Sequence, residues 1–298
     1  MAPPGRPAAV CPLAMQRRGA PRGAALCTSS RHPSEARALA VGQTRRVEGY
    51  DAGSYGRGFA DVYDEWYGDV SDIDATVNGV ARLAADTGSR RVLELGVGTG
   101  RLAMPLAARG LDVVGVDASP EMLDRLRAKE GAAAVRAVLG DMAQVGELDI
   151  GGPVGVVFAA FNTFFNLTSR AAQVACLRGC AHHLVPGGFV AIEAFVPPDP
   201  STAPNSVVSP RTIAADHVVL TVARRDEAAQ TIAGQHIEIS ERGIKLRPWM
   251  VRYAAPRELD EMAAEVGLTL VRRDADWRGT PFDDTSTAHV SVYRTGAR

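Results

Sequence analysis

Three glycines at every second position, in the stretch VLELGVGTG from Val92 to Gly100, constrain this chain more than any other feature. They follow a short apolar run and precede RLAMPLAARG, whose spacing is helical and whose close is Gly110. Such a corner turns a strand directly into a helix. Glycine accepts positive φ, and the first amides of the helix point outward, so a bound molecule can touch bare backbone. The rhythm then repeats. LDVVGVD, AAVRAVLGD and GPVGVVFAAF read as further strands, and SPEMLDRLRAKEG as a helix with Ser119 at its N-cap, Pro120 at its first position and Gly131 as its stop. A helix from about residue 170 to 184 leads through the turn PGG to the strand FVAIEAFV. This alternation predicts an α/β fold with right-handed crossovers and a doubly wound parallel sheet, covered on both faces, whose ligands sit at the carboxyl ends of the strands.

After PPDPSTAPNSVVSP the period changes. HVVLTVARRD, QTIAGQHIEIS and GIKLRPWMVRYA are extended segments between polar turns, which predicts an antiparallel meander inserted at about residues 206–255. PRELDEMAAEVG then reads as a helix, and LTLVRRDADW and TAHVSVYRT as two closing strands.

Charge and cysteine usage narrow the function classes. The formal charge of the 298 residues is -1, unevenly spread: residues 1–48 carry eight Arg against Glu35 and Glu48, a balance of +6, which leaves -7 for the rest. That acidic remainder is unsuited to gripping a phosphate backbone, so no nucleic-acid partner is expected. The head, rich in Arg, Ala and Pro, reads as a disordered or targeting-like segment, with Met15 as a candidate initiator, and residues 49–298 as the folded domain. No run of about 18 apolar residues suggests a membrane span. Cys11 and Cys27 lie in the head; Cys176 and Cys180 share a helix face with His183 and read as buried thiols rather than a metal site, with a reducing cytoplasm as the expected location.

The corner alone leaves several nucleotide ligands open. A dinucleotide fingerprint needs glycine three places beyond Gly98, where Arg101 stands, and a P-loop needs Gly-Lys-Ser/Thr, which is missing. The second strand ends in Asp117, placed to accept from both hydroxyls of a ribose. At the third strand's end, Asp141 and the Met142 amide are placed to pair with an adenine edge, and Met122 to cover its face. With these residues in view, VLELGVGTG, the acid of VVGVDAS, LGDM, LVPGGFVAIE and the YRTG tail resemble the class I S-adenosylmethionine-dependent methyltransferases, small-molecule type, over roughly residues 60–298. The resemblance implies a Rossmann-like seven-stranded sheet with an antiparallel last strand and S-adenosyl-L-methionine as cofactor. It places Gly96, Gly98 and Gly100 beside the methionine part, Asp117 and Ala118 at the ribose, and Glu94 at the amino group through water. Phe161 would wall the cofactor. Tyr55, Phe59, Tyr63 and Tyr67 recur at helical spacing and read first as a stripe laid on the sheet. In similar sugar N-methyltransferases of antibiotic pathways a Tyr here contacts the cofactor, which the resemblance carries to Tyr63 and Tyr67.

The acceptor is less determined. Methyl transfer from a sulfonium needs mainly alignment and exclusion of water; an amine acceptor has only to lose its proton, whereas a hydroxyl calls for a base. Glu193, His217, His236 and His289 are the candidate bases, and no catalytic residue is assigned. Phe161, Asn162 and Thr163 stand where relatives acting on nucleic acid or glutamine carry Asn/Asp-Pro-Pro-Tyr/Phe, so a small-molecule acceptor, at an amine or a hydroxyl, is expected. Trp249 and Tyr253, at spacing four on one strand face, read equally as core or as an acceptor wall within a cap. Two rival readings are an NAD(P)-dependent oxidoreductase, disfavoured by Arg101 and by the terminal strand pair, and a non-catalytic S-adenosylmethionine-binding relative.

Overall fold

A computed structural model describes residues 49–68, 70–199 and 201–296. The expected basic head, with Cys11, Cys27 and Met15, lies outside the described residues. In chain order come α1 (Ser54–Phe59), α2 (Tyr63–Tyr67), α3 (Ile73–Thr87), β1 (Arg91–Leu95), α4 (Ala103–Ala108), β2 (Asp112–Asp117), α5 (Pro120–Arg127), β3 (Val135–Leu139), β4 (Val154–Ala159), α6 (Arg170–His183) and β5 (Leu184–Phe195). These are followed by β6 (Ser206–Ile213), β7 (His217–Asp226), β8 (Thr231–Ser240), β9 (Gly243–Arg252), α7 (Pro256–Ala264), β10 (Leu268–Asp274) and β11 (Ala288–Thr295).

The main sheet has seven strands in the order β10-β11-β5-β4-β1-β2-β3. β1 pairs in parallel with β2 and β4, and β11 runs antiparallel to both β5 and β10, so the last strand alone is reversed. Successive residues of each inner strand feed opposite cores. Leu93, Val114 and Val157 join one buried cluster, while Val92, Val113 and Val156 join the other. Both faces are therefore covered, as near-continuous apolar strands require.

Local chemistry sets the helix starts. Asp72, Ser119 and Ser169 each accept a hydrogen bond from the amide three residues on, opening α3, α5 and α6. Gly88 at φ +71° closes α3.

Four sequence expectations change. The PGG turn is absorbed into β5, which starts at Leu184 beside Val154 and shifts register before Val156 meets Phe189. The aromatic stripe is two short helices, since a turn at residues 60–62 interrupts the helix between Phe59 and Tyr63. The meander gains a fourth strand, β6, at an edge of the sheet β6-β7-β8-β9; its Pro210, which cannot donate to a ladder, hid it from the pattern. Tyr253 lies past the end of β9, where its amide donates to the Gln230 carbonyl, and both it and Trp249 are buried in the core.

Candidate functional site

A cleft enclosing about 1000 Å³, open solvent at its mouth included, lies at the carboxyl ends of β1, β2 and β3. Gly96 and Gly98 floor it, Asp117, Ala118 and Met122 form one wall, and Asp141 with Met142 form its far end. Tyr63 reaches it from above. Glu94, Gly100, Phe161 and Tyr67 stand outside that lining.

All three corner glycines have positive φ, at 65°, 55° and 82°, yet the space at each differs. A Cβ on Gly98 would meet only Tyr63 Cε1, at 3.9 Å, so this residue leaves the cleft floor bare. On Gly96 it would lie 2.3 Å from Thr163 Cγ2, and on Gly100 2.3 Å from Leu126 Cδ1 of α5. Gly100 therefore serves close packing of helix on corner, and Gly98 serves the cleft.

Asp117 organises the corner. Its Oδ2 accepts from the Gly98 amide at 2.8 Å and its Oδ1 from the Ser119 amide at 2.9 Å. Burial pushes its carboxyl above the ordinary carboxylate range, opposed by the amides of Ser119, Gly98 and Ala118. Each oxygen has two lone-pair sites, so each keeps capacity toward the cleft. Asp141 Oδ1 likewise accepts from Ala143 N–H at 2.8 Å, which holds its turn in place.

Glu94 is buried, and burial raises its pKa to about 8; Arg101 opposes this, Asp117 adds to it, and the Ala103 amide opposes it again. Its Oε2 is buried without a hydrogen-bond partner. A buried acceptor left unpaired is costly, and a cationic group beside it would relieve that cost.

The end of β4 makes a second left-handed corner without glycine. Phe161 (φ 53°) and Asn162 (φ 65°) are held there by β5. Glu193 Oε2 accepts from the Phe161 amide at 2.8 Å, the Glu193 carbonyl accepts from Asn162 N–H at 3.1 Å, and Asn162 Oδ1 accepts from Phe195 N–H at 2.7 Å. The Arg101 guanidinium lies 5.3 Å from the Phe161 ring centre. Glu193 and Asn162 are thus engaged in shaping the backbone.

α1 and α2 form the roof. Tyr55 stacks on Phe59 at 4.5 Å between ring centres, and the Tyr63 and Tyr67 rings lie tilted to each other at 4.9 Å. Asp64 ties the roof to the glycine corner by accepting from Thr99 Oγ1 at 2.5 Å and Lys129 Nζ at 3.0 Å. Asp61 ties it to the antiparallel sheet by accepting from Arg247 and Lys245, each at 2.5 Å.

The histidines stand elsewhere. His217 pairs with Asp216. His236 is buried near Phe59, Trp66 and Trp249, with Nδ1 3.0 Å from the Thr221 hydroxyl, and burial lowers its pKa to about 4. His289 is fully buried, 2.8 Å from the Ser291 hydroxyl, and also lowered to about 4 by burial. None of the three lines the cleft. Cys176 and Cys180 are buried, and His183 Nε2 donates to the Val145 carbonyl at 2.8 Å. Among the described residues no group of three His, Cys, Asp or Glu is placed to hold a metal, and no helix is long and apolar enough to cross a membrane.

Residues that the sequence pattern missed line the cleft on both sides. Tyr50, Asp51 and Gly56 come from the segment before Phe59, and Thr163, Asn166 and Leu167 from the turn after β4. Neither segment has a periodic pattern that announces the role; only the bare Gly56, where a Cβ would sit 2.5 Å from Ser119 Oγ, marks a close approach.

Comparison with known proteins agrees with this geometry. A family model described as a methyltransferase domain matches residues 92–188. The cypemycin N-terminal methyltransferase of a Streptomyces species is 31% identical over 241 residues, which is 78% of this chain and 96% of that protein. The structure of the CcbJ methyltransferase from Streptomyces caelestis is 44% identical, with a TM-score of 0.76 over 83% of this chain and all of that one. The S-adenosylmethionine-bound CalS10, an amino pentose methyltransferase from Micromonospora echinaspora, shares the fold at 22% identity, with a TM-score of 0.61 over 78% of this chain and 97% of that one. The corner, the acid at the end of β2, the reversed last strand and these likenesses together establish that the chain belongs to the S-adenosylmethionine-dependent methyltransferases.

Proposed function

We propose that this enzyme transfers the methyl group of S-adenosylmethionine to an amine of a small-molecule acceptor. The observation that carries the amine reading is the cleft lining itself, which brings together a bare corner and carboxylates but none of the three candidate histidines. An amine delivered to such a site needs orientation and loss of one proton, whereas a hydroxyl needs a base poised beside it. The name of the cypemycin N-terminal methyltransferase supports the same acceptor chemistry.

The residues present fit the methyl donor. Bound, the donor supplies an already activated methyl on a sulfonium. Gly96 and Gly98 would admit its methionine part against bare backbone, and Glu94, with its unpaired Oε2, would take up the positive charge of the amino group. Asp117 and Ala118 would flank the ribose, Asp141 and Met142 the adenine edge, and Met122 its face. Tyr63, backed by Tyr67, would close the cleft from above, and Phe161 would back the site beside Arg101. Gly100 would contribute indirectly, by letting α5 pack on the corner.

The test is methyl transfer by the purified full chain from labelled S-adenosylmethionine to a panel of amines and hydroxyl compounds, including amino sugars and peptide N-termini. Product only from amines supports the proposal; product only from hydroxyl compounds overturns it. Asp117→Ala is expected to weaken donor binding by about 10- to 100-fold in calorimetry, the loss of a charge-assisted hydrogen bond. Unchanged donor affinity would remove Asp117 from the site.

A further inference from the structure

In the main sheet β5 outruns its neighbour. Ile192 is registered with Ala159, the last residue of β4, so residues 193–195 extend past that ladder, and the chain leaving β4 bends beside them. Two consecutive residues of the bend, Phe161 and Asn162, lie in the left-handed region. Asparagine adopts it readily, whereas a bulky aromatic there is an outlier that its surroundings must hold. The overhang of β5 does the holding. Glu193 Oε2 accepts from the Phe161 amide at 2.8 Å, the Glu193 carbonyl accepts from the Asn162 amide at 3.1 Å, and the Phe195 amide donates to Asn162 Oδ1 at 2.7 Å. Asn162 thus continues, with main chain and side chain, the ladder that β4 has left.

The corner joins the roof to the cleft floor. On one side the Phe161 ring meets Tyr67 of α2, with centres 6.0 Å apart, and Arg101 of the glycine corner. On the other, Thr163 lines the cleft and presses on Gly96, where a Cβ would meet its Cγ2 at 2.3 Å. A shift of the corner would therefore move both contacts together.

We infer that Glu193 and Asn162 are a positioning pair for methyl transfer, Glu193 acting through the main chain of the Phe161 corner and not as a base. This rests on the methyl-transfer reading. A base has to reach the acceptor's proton directly or through one water, and Glu193 is not part of the cleft lining. Its bond to the Phe161 amide needs an oxygen acceptor, which a neutral carboxamide also supplies. Among the described residues no cation pairs with Glu193, so the corner depends on that oxygen rather than on its charge. What the pair controls is where Phe161 and Thr163 stand, and hence the alignment on which in-line transfer depends.

Fluorine NMR of the full-length protein labelled with para-fluorophenylalanine reports the corner without any acceptor, the Phe161 signal being identified with Phe161→Leu. That signal should be shifted or broadened in Glu193→Ala and restored in Glu193→Gln. With the amine that the panel selects, kcat should fall about 10- to 100-fold in Glu193→Ala and be restored to within about threefold of wild type in Glu193→Gln. The pH–rate profile of the Gln variant should keep its shape, and donor affinity in calorimetry should stay within about threefold of wild type for both. A Gln variant as slow as the Ala variant, or one whose profile loses a limb, overturns the inference by making Glu193 a base. An unmoved Phe161 signal or a wild-type kcat in Glu193→Ala overturns it as well. Should Glu193→Ala fail to fold, Asn162→Gly decides, because glycine keeps the left-handed backbone and removes only the oxygen bound by Phe195. A moved signal with lowered kcat then supports the pair, and wild-type values overturn it. Donor binding without turnover of any amine defeats the methyl-transfer reading instead, and the fluorine signals still decide the corner.

Discussion

The two sheets of this enzyme solve opposite problems. The inner strands of the seven-stranded sheet are apolar on both faces and covered on both, and the cleft lies at the strand ends, where Asp117, Asp141 and the glycine corner meet. The four-stranded sheet puts its polar groups on the covered face, where Arg247 at 1% exposure bonds Asp61, Glu238 and the Gly58 carbonyl, and leaves aliphatic side chains outside. One sheet opens a cleft at its ends and the other holds a roof by its face. The difference teaches that a strand's burial does not predict its polarity: Arg247 and Val219 are covered by the same layer, one through ion pairs and one through packing.

The sharpest way to break this comparison is at the corner. Gly98→Val should abolish donor binding, by more than about 100-fold, because a branched side chain would occupy the cleft floor at φ 55°. Gly100→Val should instead lower stability by about 3 kcal/mol or more through overpacking against Leu126 together with backbone strain. Calorimetric titration and urea melts of both variants distinguish the roles; equal loss of affinity without loss of stability would merge them. In the other sheet, Arg247→Met should cost about 2 kcal/mol, less than a fully buried pair because Asp61 and Glu238 are partly exposed. Its melt should be accompanied by faster proteolysis within α1 and α2, and an intact roof would show that Asp61 is not its anchor.

The remaining effect is on pH. Glu94, raised to about 8, binds its proton more tightly folded than unfolded, so its contribution is complete below about 4.5 and is lost as pH rises through about 8. His236, lowered to about 4, stays neutral in the fold, so its contribution is present above about 6.5 and is lost as pH falls through about 4. Urea midpoints of the donor-free enzyme should decline toward both ends, and His236→Gln should lessen the slope of the acid limb only, His289 keeping its share.

Much of the first sheet was legible because its signals are local. Apolar runs, the Ser119 cap and Gly110 each act within a few residues, and the strand boundaries follow them closely. β6 escaped because Pro210 breaks the strand pattern, and the split between α1 and α2 because the aromatic spacing stays helical across a gap. At the site, Gly96, Gly98, Asp117, Ala118, Met122, Asp141, Met142 and Tyr63 all line one cleft. Glu94 and Phe161 are outside its lining, and Tyr50, Gly56 and Asn166 enter it without a sequence signal for that role.

By itself, the order of residues determined the alternation of strands and helices, the bare corner and the acid beyond it, while the reversed closing strand was legible only through the family resemblance. These depend on periodicity and on backbone freedom, which neighbours along the chain decide. Tertiary structure alone decided which glycine faces the cleft and which faces Leu126, that Glu193 shapes the Phe161 corner, and that Asp61 meets Arg247 across the roof. Those outcomes rest on contacts between residues far apart in sequence, whose partners are chosen only when the layers close on one another.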